Sequence, residues 1–545
     1  MVLANHVEYT GNTQFRFGGY GMNEYTEKSG NLLERAADLL ADLMQTIFLT
    51  VLKPFVGLAQ RMSDRLKNFL IGASFFGIMV IIYLEHTNIT SLILQHLPLP
   101  SVVKYVFFDL LGCVLMAVVA VCSIKGPLQR RRSNAMMTLL WAGMCIFFIV
   151  SAIYTSLDWA AISIIFTLVF PCVYFIWNNR RDYGTLFRLV TKGLVSFNLV
   201  FFVLSVLFSP ITGGQYRALF TNANSLGQYL TCTIPLFMMN YTLAWRKIGQ
   251  KPRVAAPVRF DAHRPGTWFR YLAFVCRMHK ELIPSLLGLG TSVALIVFSR
   301  SRTALLAAAV TLVLWFVLNY IVAHWGEGFK AIALRAVQHI VPMVLAVVIC
   351  VPGTFWLIKG GTYVVYYYAA VNDLLPEGYE YLDPRLQGTR LDDAINAAMD
   401  RLDTEGKTAD QVTTHRTLIW KAFAQRIEPF GHERGQIYVH DYGVAATAHN
   451  CIIQILYDSG IFTALFYFAI NVASGFRALL YYFRRRKGDA YAIFPVLLMP
   501  GYLVTSLLAS SYPPFAYSIA LVYWLVQAPL FEKKIHKLDS LPESV

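Results

Sequence analysis

Arg217 in GGQYRALFTNANSLG, Arg300 and Arg302 in FSRSRTALLAAA, and His449 in ATAHNCIIQ are polar residues at the ends of otherwise apolar segments. A guanidinium is permanently charged and planar, and its paired N–H groups match two phosphate oxygens at once. Each arginine element is followed directly by a helix start. Asn222 and Asn224 stand where the helix after Arg217 begins, and Asn224 or the turn before it can cap that helix, leaving free N–H groups and the positive dipole end facing outward. An arginine beside a helix N-terminus makes an anion site. His449 brings an imidazole, which takes a proton near neutral pH as a general base must. Singly, a boundary arginine also reads as a snorkelling anchor and a boundary histidine as a capping or packing residue. Together on one face they describe an anion pocket with a base beside it, suited to a diphosphate on a lipid carrier.

The elements that must position these residues are membrane helices. Of 545 residues 56% are hydrophobic and only 14% charged, and the mean hydropathy is +0.49, which excludes a soluble globular chain. A spanning helix needs about 20 apolar residues. Such runs begin near Asn68, Val102, Ala135, Trp159, Thr185, Ser225, Leu282, Thr303, His339, Cys451, Tyr491 and Ala516. The expected fold is therefore an all-α integral membrane protein of about twelve transmembrane helices. Helices one to nine fall in residues 67–358 and ten to twelve in residues 451–531. Met1 to Asn31 is polar and Gly-rich, so no cleavable signal peptide is expected. The eight cysteines lie in or beside apolar runs without CxxC spacing and read as core residues.

Orientation follows from the basic loops. Lys125 to Arg132, Arg180 and Arg181, Arg246 to Lys280, Lys330 and Arg335, and Arg477 to Lys487 all fall between alternate helices, and Lys533, Lys534 and Lys537 follow the last one. The opposite loops near Glu85 to Ser101, Tyr154 to Asp158 and Ser511 to Phe515 carry no Lys or Arg. Both termini are predicted cytoplasmic. The net charge of +15 is accounted for by these anchors and by attraction to anionic membrane lipids, not by nucleic acid. Residues 1–66 form a cytoplasmic region with an interfacial amphipathic helix over Leu32 to Leu58, and residues 532–545 a cytoplasmic tail. Residues 359–450, between helices nine and ten, form one long outer-face loop with amphipathic helices at Leu391 to Leu402 and Thr414 to Ile427, the second closed by Pro429 and Gly431. Arg300 and Arg302 sit on this outer face against the positive-inside pattern, which singles them out.

These motifs, in this order, resemble the bacterial O-antigen ligase and polymerase superfamily, membrane glycosyltransferases with a GT-C-type helical fold. The resemblance covers roughly Trp159 to Gly475. GQYRALFTNANSLG is similar to the family's first arginine element, giving Arg217, and SRT to its Ser-Arg element, giving Arg302 with Arg300 as an additional charge. RTLIWKAFAQRIEPFGHERG resembles its Arg-x-x-x-Trp helix and glycine turn, giving Arg416, Trp420 and Gly431, although Gly-His-Glu-Arg-Gly is longer than the usual turn. His449 and Asn450 fall on its His-Asn pattern before a helix that contains Gly460 and Ile461. The resemblance implies an enzyme of the bacterial cytoplasmic membrane, active on the outer face. Arginines hold the pyrophosphate of a polyprenyl-linked glycan donor, and His449 assists attack by a hydroxyl of a glycan, lipid or protein acceptor. It further implies inversion at the anomeric carbon, no cofactor and no metal. The long outer loop and the N-terminal region exceed the family core.

The same motifs serve a ligase, which moves a finished glycan onto an acceptor, and a polymerase, which extends lipid-linked repeats. A flippase is the rival outside enzymology, but inverted repeats and broken midplane helices are not evident in the sequence. A structural scaffold would tolerate Arg302→Ala and His449→Ala. His432 and His440 flank the turn and can line an acceptor cleft, His415 beside Arg416 is ambiguous, and His86, His96 and His339 have ordinary boundary settings. Glu428, Glu433 and Asp441 are candidate carboxylates to orient His449 or bind sugar hydroxyls.

Overall fold

A computed structural model describes residues 31–85, 101–123, 133–155, 183–211, 214–250, 277, 279–324, 326–374, 389–402, 415–433, 435–440, 442–489, 491–509, 511–512 and 518–535. In chain order the helices are α1 (Leu32–Arg61), α2 (Asp64–Glu85), α3 (Ser101–Cys122), α4 (Ala135–Tyr154), α5 (Tyr183–Phe208), α6 (Ala223–Gln250), α7 (Ile283–Ser299), α8 (Arg302–Phe316), α9 (Phe329–Val371), α10 (Leu391–Leu402), α11 (Arg416–Ala424), α12 (Cys451–Arg485), α13 (Phe494–Leu508) and α14 (Ser518–Leu525). A short antiparallel hairpin, β1 (Ile437–Val439) and β2 (Gly443–Ala445), stands between α11 and α12, with Tyr438 opposite Val444. Seven helices among the described residues are long and apolar enough to cross a membrane, so the chain is an all-α membrane protein.

The apolar runs place most helix starts within about one turn. The span expected near Trp159, and His86, His96 and Asp441, lie outside the described residues. The ninth span departs from expectation. Instead of starting near His339 and ending before Lys359, α9 runs unbroken for 43 residues through both positions, about 65 Å at 1.5 Å per residue and twice the hydrocarbon thickness. Charge alone does not stop a helix: Lys359 Nζ reaches the Thr389 carbonyl at 2.5 Å and lies 5.1 Å from the Phe355 ring centre. The following TYVVYYYAAV holds no Gly or Pro to end the pattern. α9 is therefore longer than any single bilayer thickness.

The core is made by α6 and α7, with α9, α8 and α13 packed around them. Leu230, Leu236, Met238, Met239, Tyr241 and Ala294 are fully buried. A Cβ at Gly290 of α7 would sit 2.7 Å from Cys350 Sγ of α9, so glycine sets the approach of these two helices, as small residues do where apolar attraction between helices is weak. Conversely α9 exposes Val344, Leu345, Val348, Ile349 and Trp356, the surface a lipid solvent covers.

The two ends of the bundle differ in chemistry. At one, Arg484 Nη1 donates to the Ile535 carbonyl at 2.8 Å, Arg486 Nη1 to Val322 at 3.3 Å, and Arg485 faces Glu532 at 3.6 Å. At the other, Tyr83 of α2 donates to the Leu219 carbonyl, Ser209 to Ala218 and Ser151 of α4 to Asp458. Helix α1 has both ends at the first, basic end: Glu34 and Asp38 line a cavity with Asn134, Ala135 and Lys533, and Met62 and Ser63 lead into α2. A helix of 30 residues with both ends there lies across the bundle end. Ala37, Ala41 and Ala59 face inward, and Leu39, Leu43, Ile47, Val51, Phe55 and Leu58 form an exposed apolar stripe at helical spacing, the arrangement of a helix lying in a membrane interface.

Candidate functional site

Three helix ends meet at the second end of the bundle. The Asn222 side chain accepts from the Ser225 N–H at 2.8 Å and caps α6, while Asn224 sits exposed in the first turn. Ser301 accepts from Ala304 N–H at 3.4 Å and caps α8. Between α7 and α8 only Arg300 and Ser301 intervene, and Arg300 makes the reversal with φ 54°, its N–H bonded to the Ile296 and Val297 carbonyls. A Cβ on Gly227 of α6 would lie 2.5 Å from Ser301 Oγ, so the absent side chain there lets the starts of α6 and α8 touch. The Arg217 loop is tied to the same place by the Tyr216 N–H, 3.0 Å from the Phe298 carbonyl of α7.

Five non-glycine residues among those described have positive φ: Ala218, Arg300, Asp373, His415 and His449. Four of them are, or directly adjoin, Arg217, Arg300, Arg416 and His449. Left-handed backbone costs a residue with a side chain about 1 to 2 kcal/mol, and such strain concentrates where function requires it.

Electrostatics link these segments. Burial lowers the Arg416 pKa from its ordinary value and the nearby Arg302 charge lowers it further, with Tyr442 opposing. Burial likewise lowers His449, and the Arg416 charge adds to the effect. Arg401, from α10, is lowered by burial and then by Arg302 and Arg300. Its Nη1 donates to the Arg300 carbonyl at 3.3 Å, and the Gln215 side-chain amide lies against its guanidinium. Charge couplings thus link Arg300 and Arg302 to Arg401, Arg302 to Arg416, and Arg416 to the His449 imidazole, and they raise the cost of charge on Arg401, Arg416 and His449. A polyanion among them relieves all of those costs together.

The structure brings Arg300, Arg302, Arg416 and His449 together and leaves Arg217 at the rim, exposed, with Nη1 on the Thr221 carbonyl at 3.3 Å. Trp420, one turn along α11 from Arg416 and on the same face, is half-buried, and its buried indole N–H has no hydrogen-bond partner among the described residues. Asn450 accepts from Ile452 and Ile453 N–H at 3.0 and 3.1 Å, capping α12, and donates to the Leu507 carbonyl of α13 at 3.0 Å. Arg401 was not legible as a site residue: a lone arginine in the last turn of an amphipathic helix reads as a partner for the helix dipole.

Of the other histidines, His432 stacks on Tyr457 at 4.6 Å and faces Glu428 at 3.8 Å. His440 is exposed, as is His415, whose ring is 6.2 Å from Tyr442. His339 is at the opposite end, stacked on Trp245 at 4.3 Å and bonded to Tyr320. Glu433 is exposed. A further carboxylate close by in the chain, Asp458 of α12, is only 3% exposed and accepts from the Gln454 amide at 2.7 Å.

The turn after α11 locks onto a break in α12. Gly431 has φ 89° and Gly460 has φ 82°. A Cβ on Gly431 would run into the Asp458 carbonyl and one on Gly460 into the Pro429 carbonyl, while Ile461 N–H reaches Pro429 O at 3.1 Å and His432 N–H reaches Tyr457 O at 3.0 Å. Gly431→Ala is expected to destabilise the folded protein by about 2 to 6 kcal/mol, the sum of left-handed strain and overpacking. Thermal unfolding in detergent would show a lowered Tm, and an unchanged Tm would contradict this interlock.

Among the described residues no group of three or more His, Cys, Asp or Glu side chains is placed to hold a metal ion. No protein-family model matches the chain and no curated protein matches its sequence.

Proposed function

We propose that this protein is a glycosyltransferase of the O-antigen ligase type, moving a glycan from a polyprenyl-pyrophosphate carrier to an acceptor hydroxyl. The observation that carries this reading is the cluster of Arg300, Arg302, Arg401 and Arg416 beside His449 at the end of a membrane bundle. A polyprenyl pyrophosphate leaves readily once its charge is met, so the protein must supply positioning, electrostatic stabilisation and a base. The arginines clamp the pyrophosphate, Arg217 sits at the rim, and His449 takes the proton of the attacking hydroxyl. On this reading the basic loops stay with both termini on the cytoplasmic side, as short basic loops favour, and the site opens at the outer face of the bacterial cytoplasmic membrane. Asn222, Asn224, Trp420 and Asn450 support the clamp and the base.

Arg401 belongs to the clamp on this reading. Arg401→Ala is expected to raise the donor KM about tenfold, the worth of one charge-assisted hydrogen bond, with kcat little changed. A wild-type KM in that variant would remove Arg401 from the site.

The test is protein reconstituted in liposomes with a polyprenyl-pyrophosphate glycan and an acceptor, following both transfer and the donor's distribution across the bilayer. Single additions to the acceptor support a ligase and lengthening lipid-linked chains a polymerase. Donor movement between leaflets without transfer overturns the reading in favour of a flippase.

A further inference from the structure

The local structure around His449 contains a chain of hydrogen bonds that no catalytic step uses. Asp458 Oδ2 accepts from Gln454 Nε2 at 2.7 Å. That bond fixes which way the Gln454 amide points, so its Oε1 is presented to the Ala448 N–H, which donates to it at 2.6 Å. Asp458, Gln454 and Ala448 are all at least nine-tenths buried. On the other side of His449, Asn450 is held by its cap bonds and by Leu507. His449, with φ 50°, is therefore a strained residue clamped between two anchored neighbours.

Asp458 is itself held in place. Its backbone carbonyl accepts from Ser151 of α4 at 3.4 Å and abuts Gly431, and the Tyr512 hydroxyl lies 3.5 Å from its carboxylate. A buried carboxylate in an apolar bundle is costly unless its hydrogen bonds are supplied, and a primary amide is the group able to accept from the backbone and donate to the carboxylate at once. We propose that Asp458 and Gln454 are positioning residues for His449, holding its left-handed backbone so that the imidazole faces the arginine cluster. The catalytic part of this inference rests on the transferase reading above; the conformational part does not.

Two readouts separate them. The first is carbethoxylation of His449 by diethyl pyrocarbonate in the full-length protein, quantified by peptide mass spectrometry, with His440 as an exposed reference and His339 at the far end as a monitor of the fold. Gln454→Leu should raise the His449 rate several-fold at unchanged His339 reactivity. Asp458→Asn, which keeps an oxygen to accept from Gln454, should stay within twofold of wild type. An unchanged His449 rate in Gln454→Leu, or a rise in Asp458→Asn as large as in Gln454→Leu, overturns the relay.

The second readout is transfer kinetics. Gln454→Leu should lose about 10- to 100-fold in kcat, the size of effect a small misplacement of a catalytic group produces, with the donor KM within threefold of wild type and most of kcat retained in Asp458→Asn. A raised KM at wild-type kcat overturns the positioning role. A wild-type protein inactive in transfer defeats the glycosyltransferase reading alone, and the labelling result then decides the relay.

Discussion

Arg302→Ala is expected to reduce kcat/KM for glycan transfer from a polyprenyl-pyrophosphate donor by about 100- to 1,000-fold, the usual loss when a preorganised charge stabiliser is removed from a water-poor site. Arg302 is the first residue of α8, where on the proposed reading the N-terminal dipole of that helix would add to its charge. Its charge acts on both Arg401 and Arg416. Arg302→Lys should recover only part of the loss, because an ammonium is a point charge without the planar fork that grips two phosphate oxygens. Initial rates against donor concentration for the three proteins give the comparison. Equal kcat/KM for wild type and Arg302→Ala would remove the pyrophosphate clamp.

His449→Ala should act differently, lowering kcat by about 100- to 10,000-fold, the range for loss of a general base, with little change in donor KM. A pH signature accompanies it. Burial and the Arg416 charge lower the His449 pKa, so the neutral, proton-accepting form persists below the ordinary histidine value of 6.5. The acid limb of kcat/KM, which reports the free enzyme, should therefore lie below that value, with activity rising as pH rises through the lowered pKa. Arg416→Gln removes the second cause and should shift the limb to higher pH. The same sign governs stability: the neutral imidazole contributes above the unfolded pKa, and that contribution is lost as pH falls through the lowered folded one. A limb that does not move in Arg416→Gln would separate the two residues.

Much of the fold is legible in the sequence, because lipid imposes one rule, a long apolar helix, and apolar runs show it plainly. α4 and α12 begin at the expected residues, and α10 occupies the expected Leu391–Leu402. The length of α9 is not legible, because Lys359 and Arg335 look like helix ends when a lysine can equally reach a carbonyl across a loop. At the site, single residues are legible by type: Arg300, Arg302 and His449 stand out as charge against an apolar background. What brings Arg401 to Arg300 is a contact between residues 101 positions apart, which no local spacing records. Asp458 was hidden for a related reason. It lies on a helix that reads as a span, whereas Glu428, Glu433 and Asp441 lie in the outer loop, where carboxylates for the site are sought first. Of the two caps the sequence offers, Asn224 and the turn before it, the turn residue Asn222 accepts from the Ser225 N–H and caps α6.

The most direct test is transfer by the purified protein in detergent, where no bilayer separates two compartments and transport has no meaning. A polyprenyl-pyrophosphate glycan and an acceptor are supplied in the presence of a chelator, and both the glycosylated acceptor and the released carrier are quantified. One released polyprenyl pyrophosphate per glycan transferred, with Arg302→Ala and His449→Ala both deficient, is the predicted result. Full transfer in both variants would contradict the account.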